Sequence, residues 1–152
     1  MSTSQRATLP HLSLLIVCDG GKALIMRNAG TMERPKLQMV ETLQHQVPPT
    51  RELGSERPGR VFASTGAARS AVEASDYHEA AETAFLGEVC RRVEHAVSGQ
   101  TRGARLVLAA PPRVIGALRS LLPAPLRDTV AVEVGKDLTK LSIDDIERYF
   151  TD

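Results

Sequence analysis

Asp19 closes an apolar run, "LSLLIVC" (Leu12–Cys18), and Glu79, Glu82 and Glu88 follow on one stretch of helical spacing. Carboxylates that converge at strand ends can hold two Mg²⁺ ions, which activate water and stabilise a leaving oxygen. The next apolar run tests that chemistry. It ends "LVLAAPPR", with Ala109 and Ala110 where a further acid belongs, and alanine offers a hard cation no oxygen. Asp19 followed by Gly20 reads instead as a hairpin turn, because Asp-Gly tolerates positive φ.

Other short patterns fall away on the same kind of test. "HEAAE" (His78–Glu82) puts His78 and Glu82 on one helix face, but a zinc protease needs a second His at position 82. "TGAARS" (Thr65–Ser70) lacks the two spaced glycines and the Lys of a phosphate loop. Ser98-Gly99-Gln100 reads as a helix stop. His11, His45 and His95 keep no ligand spacing. We therefore expect no catalytic residue, no metal and no cofactor.

The stretch "RELGSERPGRVFASTGAARSA" (Arg51–Ala71) is different in kind. It holds four arginines, three glycines and only two acids, with neither strand alternation nor a clear helical stripe. Loops that long are uncommon in compact domains and often functional. Arg57, Arg60 and Arg69 offer forked donors that suit phosphate or carboxylate. Arg113, at the end of a strand and the start of a helix, and Lys136, after the last strand, stand where ligands bind in open α/β sheets. These five cations are the candidate binding residues.

The elements that would position them are legible from periodicity. Leu12–Cys18, Ala23–Arg27 and Lys36–Leu43 read as three strands joined by tight turns. An irregular segment follows, from about Gln44 to Ser75, with 46–75 as a long loop. Asp76 and Glu79 form a capping box for a long helix whose apolar face runs Ala81, Phe85, Val89, Val93 and Val97. Ala104–Ala110 is a buried strand. Pro111 and Pro112 open a second helix that ends before Pro123, Thr129–Val134 is a fifth strand, and Ser142 with Asp145 caps a last helix ending near Phe150. Three strands in a meander, then two strands reached by crossover helices, predict an α/β fold. It is a mixed five-stranded sheet, a three-strand antiparallel meander plus two parallel strands, with helices on its faces: the ribonuclease H-like topology.

The 152 residues fit one domain, 1–152, with residues 1–8 polar and loose. Net charge is +1, so no global basic field argues for nucleic acid. Trp is absent and aromatics make up 3%, too few for a base-stacking platform. Cys18 and Cys90 read as small buried hydrophobes rather than a disulfide. No run approaches the ~20 apolar residues of a membrane span, and no signal peptide is evident, so the expected location is the cytoplasm.

Four stretches resemble the bacterial host attachment protein family: "VCDGGKALIMR" (Val17–Arg27), "GSERPGRVF" (Gly54–Phe62), "LVLAAPPRVIGALRSLL" (Leu106–Leu122) and "VEVGKDLTKLSIDDIERYF" (Val132–Phe150). Members are described as required for attachment to host cells. The family is similar to the middle domain of archaeal and eukaryotic peptide-release factors, which has the same topology. In those factors the segment between the third strand and the long helix carries Gly-Gly-Gln. Here that place holds "GSERPGRVFASTG", so the hydrolytic role is not carried over. The resemblance implies a non-enzymatic interaction protein whose partner is RNA, the ribosome or an acidic protein surface. A host-attachment factor with a protein partner is the alternative, and a metal-dependent nuclease comes third.

Overall fold

A computed structural model describes residues 7–45, 63–98 and 105–151, with residues 63–78 described by their backbone alone. Strands β1 (Leu14–Cys18), β2 (Lys22–Asn28) and β3 (Leu37–Gln44) form the expected meander. Helix α1 (Ala63–Ser98) leads to β4 (Leu106–Ala109), and α2 (Pro112–Leu121) with the one-turn α3 (Ala124–Arg127) leads to β5 (Val130–Val134). Helix α4 (Ile143–Thr151) closes the chain. The sheet order is β3-β2-β1-β4-β5, with β1–β4 and β4–β5 parallel and the other pairings antiparallel. The α/β sheet expected from sequence is thus the one observed.

Each face of the sheet has its own apolar layer. On one, Leu14, Ile16, Ile25, Leu106 and Leu108 meet Phe85, Leu86, Val89 and Val93 of α1 and Val114, Ile115 and Leu118 of α2. On the other, Leu15, Val17, Met26 and Val107 meet Ile146 and Phe150 of α4, with Leu9 alongside. The central strands β1 and β4 are buried on both faces, so they read as unbroken apolar runs. Cys18 and Cys90 are free and buried. Burial in the apolar layer is the main reason their thiols are pushed up, to about 12 and about 11.

The two edge strands each carry one extra residue. Ile25 faces Glu41 but Met26 faces Met39, leaving Val40 as the insertion in β3. Leu106 faces Val130 but Val107 faces Val132, leaving Ala131 as the insertion in β5. One extra residue turns every later side chain to the opposite face. Leu37 therefore packs on the α4 side while Leu43, six residues on, packs with α1.

Three expectations need correction. Helix α1 starts at Ala63, not after Asp76, so Asp76 lies inside the helix and is no N-cap. Residues 63–75 are helical rather than loop, and Arg69 stands on α1. The reason is intrinsic propensity: Ala63, Ala67, Ala68, Ala71 and Ala74 favour helix without an apolar stripe to announce it. Residues 46–62, with Arg57 and Arg60, lie outside the described residues. The Asp19-Gly20 turn forms, but no glycine in it takes a positive φ. Instead Asp19 Oδ1 accepts the N–H groups of Gly21 and Lys22, both at 2.8 Å, and this side-chain turn closes the hairpin. The Ser142 cap is as expected, with Ser142 Oγ accepting the Asp145 N–H at 3.1 Å.

Candidate functional site: the carboxyl edge of the sheet

Strands β1, β4 and β5 run parallel, and β3 runs with them across the antiparallel β2, so all four end at one edge. The chain leaves β1 toward β2 and β3 on one side and returns to β4 and β5 on the other. The edge beside β1 and β4 is therefore the switch point at which open α/β sheets bind ligands. Asp19 follows β1, Pro111-Pro112-Arg113 follows β4, Gly135–Thr139 follows β5 and His45 follows β3.

Two polar groupings occupy this edge. In the first, the Thr139 hydroxyl donates to Asp137 Oδ1 at 2.6 Å, and Asp19 Oδ2 lies 3.4 Å from Thr139 Oγ1. The Thr139 N–H also donates to Asp137 Oδ1, at 2.9 Å. Partial burial would raise the Asp137 carboxyl, but the two bonds from Thr139 and the charge of Lys140 outweigh it and hold it below its ordinary value. Thr139, itself buried, thus ties the loop after β5 to the turn after β1.

In the second grouping, Arg113 grips Glu82 with both prongs of its guanidinium, at 2.5 and 3.0 Å. Glu82 sits directly over Gly20: a Cβ on Gly20 would lie 2.0 Å from Glu82 Oε2. A side chain at position 20 would therefore require the Glu82 carboxylate to shift. Beside it, the His45 N–H donates to the Gly21 carbonyl at 2.7 Å and the His45 ring lies 5.7 Å from that of Phe85. Its Nε2 is buried and has no partner among the described residues.

The hydrogen bonds from Arg113 hold the Glu82 carboxyl below its ordinary value of 4.5. A carboxyl lowered on folding adds stability that is fully present above its unfolded value and is lost as pH falls through the folded one. Urea melts from about pH 6 to about pH 3 should therefore show a steeper acid loss for the unaltered chain than for Glu82→Gln. Parallel acid profiles would show that the pair adds nothing to folding.

The sequence-derived candidates are not brought together here. Arg113 is committed to Glu82 on the α1 side of the sheet. Lys136 places its ammonium 5.7 Å from the ring centre of Tyr149, on α4 and so toward the other face. Glu88 binds Arg91 and Arg92 on the outer surface of α1. Ala109 and Ala110 are fully buried. Among the described residues, no three His, Cys, Asp or Glu side chains are arranged to hold a metal ion. Sequence reasoning missed the link through Thr139, although Asp-x-Thr spacing is a signal for such a local bond. It also missed the Glu82–Arg113 pair, whose members are 31 residues apart.

A family model, described as bacterial archaeo-eukaryotic release factor family 12, matches residues 13–150. The chain belongs to that family. The match begins one residue before β1 and ends inside α4, so in this release factor family member it takes in both faces of the sheet and the whole carboxyl edge. The release-factor likeness that the resemblance implied is thereby shown. No curated protein matches the chain. No described helix is long and apolar enough to cross a membrane.

Proposed function

We propose that the chain is a non-enzymatic interaction protein that binds RNA of the translation machinery through its arginine- and glycine-bearing stretch, Arg51–Ala71. One observation carries the reading: the release-factor family match spans β1 to α4, and within it the arginine-rich stretch occupies the chain between β3 and the body of α1. Arg57, Arg60 and Arg69 are the contacts, since a guanidinium fork fits a phosphate. Arg113 is a contact only if it gives up Glu82, and Lys136 lies toward α4. On this reading the protein works in the cytoplasm, in company with ribosomes.

Arg57→Ala/Arg60→Ala should weaken binding to purified ribosomal subunits across RNA sequences. It should lower the slope of log affinity against log salt by about two, roughly one per lost phosphate contact. The check is a pair of titrations at two salt concentrations, with a thermal melt beside them. Unchanged affinity and slope with a lower melting temperature would make these arginines part of the scaffold.

A host-attachment factor acting through a protein partner is the second reading, favoured over RNA by a net charge of only +1. Co-purification from native lysate separates the two. A partner lost on nuclease treatment supports RNA, and a partner that survives it supports a protein.

A further inference from the structure

The amino edge of the sheet, opposite the edge just described, carries a turn at odds with its own residue types. Pro10–Ser13 is a four-residue turn closed by the Ser13 N–H donating to the Pro10 carbonyl at 3.0 Å. Its third residue, Leu12, holds φ 66°, in the left-handed region where glycine and asparagine serve best. Among the described residues it is the one non-glycine residue at positive φ. Burial does not offset the strain, because Leu12 is 47% exposed. Strained residues of this kind gather at functional sites.

A second exposed apolar residue stands in the neighbouring turn. Met32, between β2 and β3, is 43% exposed. Side-chain bonds tie the two turns together. His11 Nδ1 donates to the Gly30 carbonyl at 2.6 Å, and Asn28 Nδ2 reaches the carbonyls of Pro10 at 3.5 Å and Thr31 at 3.2 Å. The backbone brings cations to the same corner. The Arg34 carbonyl accepts the Thr31 N–H, the Lys36 carbonyl the Ala29 N–H, and the Arg105 carbonyl the Leu14 N–H. Arg34, Lys36 and Arg105 are exposed and form no ion pair among the described residues, with Glu33 as the acid of the same turn.

We infer that this corner docks on an anionic lipid surface, with Leu12 and Met32 entering the headgroup layer and Arg34, Lys36 and Arg105 meeting its phosphates. Size and charge select the occupant. Two exposed apolar side chains present much less than the roughly 800 Å² that each partner gives to a stable protein interface. RNA gains nothing from a leucine and a methionine held out to solvent. A lipid surface takes apolar tips without a matching shape, and its negative charge complements the three cations. Docking of this kind is weak and reversible, and it needs no spanning segment. The inference uses no residue of Arg51–Ala71 and stands whether or not the partner there is RNA.

Flotation of the full chain with phosphatidylcholine vesicles, with and without about 30% phosphatidylglycerol, tests it at low and high salt. The chain should float with the anionic vesicles, bind the neutral ones about tenfold less, and detach from the anionic ones as salt rises. Leu12→Gly/Met32→Ser should bind anionic vesicles about tenfold more weakly. Glycine suits φ 66°, so Leu12→Gly alone should not lower the melting temperature, which separates lost docking from lost folding. Arg34→Gln/Lys36→Gln should weaken binding at low salt and change little at high salt. Arg57→Ala/Arg60→Ala should bind as the unaltered chain does. Three results would overturn the inference. One is no flotation with anionic vesicles, which leaves an acidic protein surface as the occupant. Another is flotation that survives Leu12→Gly/Met32→Ser. The third is flotation that vanishes in Arg57→Ala/Arg60→Ala, since the corner is then not what binds.

Discussion

Asn28→Ala is expected to destabilise the protein by about 2–4 kcal/mol, a large fraction of the stability of a typical domain. Asn28 is fully buried at the end of β2 and uses both ends of its amide. Its Nδ2 donates to the carbonyls of Leu9 at 2.9 Å and Thr31 at 3.2 Å. Its Oδ1 accepts the N–H groups of Gly30 and Lys36, each at 2.9 Å. The Asn28 backbone is engaged too, with its carbonyl accepting the Leu12 N–H at 2.9 Å and its N–H donating to Ser13 O at 3.0 Å. Truncation leaves the buried Leu9 carbonyl without its donor, at about 1–3 kcal/mol, and removes three part-buried bonds, to Thr31, Gly30 and Lys36, that hold the turn together. The same corner holds Leu12 at φ 66°, a left-handed conformation that costs a non-glycine residue about 1–2 kcal/mol. One side chain therefore sustains a strained turn, and Asn28→Asp, which cannot donate to Leu9 O, should be no milder. Urea melts at neutral pH check this; a loss under about 1 kcal/mol would mean that the carbonyls find other donors.

Leu86→Ala should cost about 2–5 kcal/mol, because Leu86 is 1% exposed between α1 and the sheet and its loss leaves a cavity. Ala80→Gly, six residues earlier on the same helix, should cost about 1 kcal/mol or less, the propensity difference at an exposed helical position. The contrast is the informative quantity. Both residues belong to one unbroken helix, yet only one lies where the sheet draws stability from it. Comparable losses at the two sites, measured by denaturant midpoints with equal slopes, would show that the first half of α1 is packed as firmly as the second.

The meander and the two parallel strands were legible because β1 and β4 are buried on both faces and so carry continuous apolar runs, while β2 and β3 are joined by short turns. The second half of α1 was legible from Phe85, Val89 and Val93 at helical spacing. Its first half was not, because its alanine-rich sequence shows no apolar stripe to read, and Asp76 with Glu79 mimics a start that the chain passes through. The bulges at Val40 and Ala131 were invisible for a related reason: alternation shows which residues face a core, not which one is skipped. At the site, Asp19 as a turn residue was readable from its neighbour Gly20. What Gly20 makes room for was not, since the occupant comes from a helix more than sixty residues away along the chain. Pairs such as Glu82 with Arg113 are set by tertiary geometry, and a single sequence carries no spacing that reveals them.

The position of the two bulges has a consequence for how the molecule behaves among its own copies. Both insertions lie on the outermost strands, and none lies on β1 or β4. A straight outer strand of eight residues with Met39 43% and Val40 37% exposed would be an open template for another chain. Val40 is itself the inserted residue, so the hydrogen-bonding row breaks where the surface is most adhesive. At the opposite border Ala131 does the same within a strand of five. An arriving strand finds a few residues in register and then a kink, which is too short a run to hold it. The broken outer ladders thereby work against sheet-to-sheet polymerisation at high concentration, while Glu41 and Glu133 on those borders are turned inward to pair with Arg92 and Arg119.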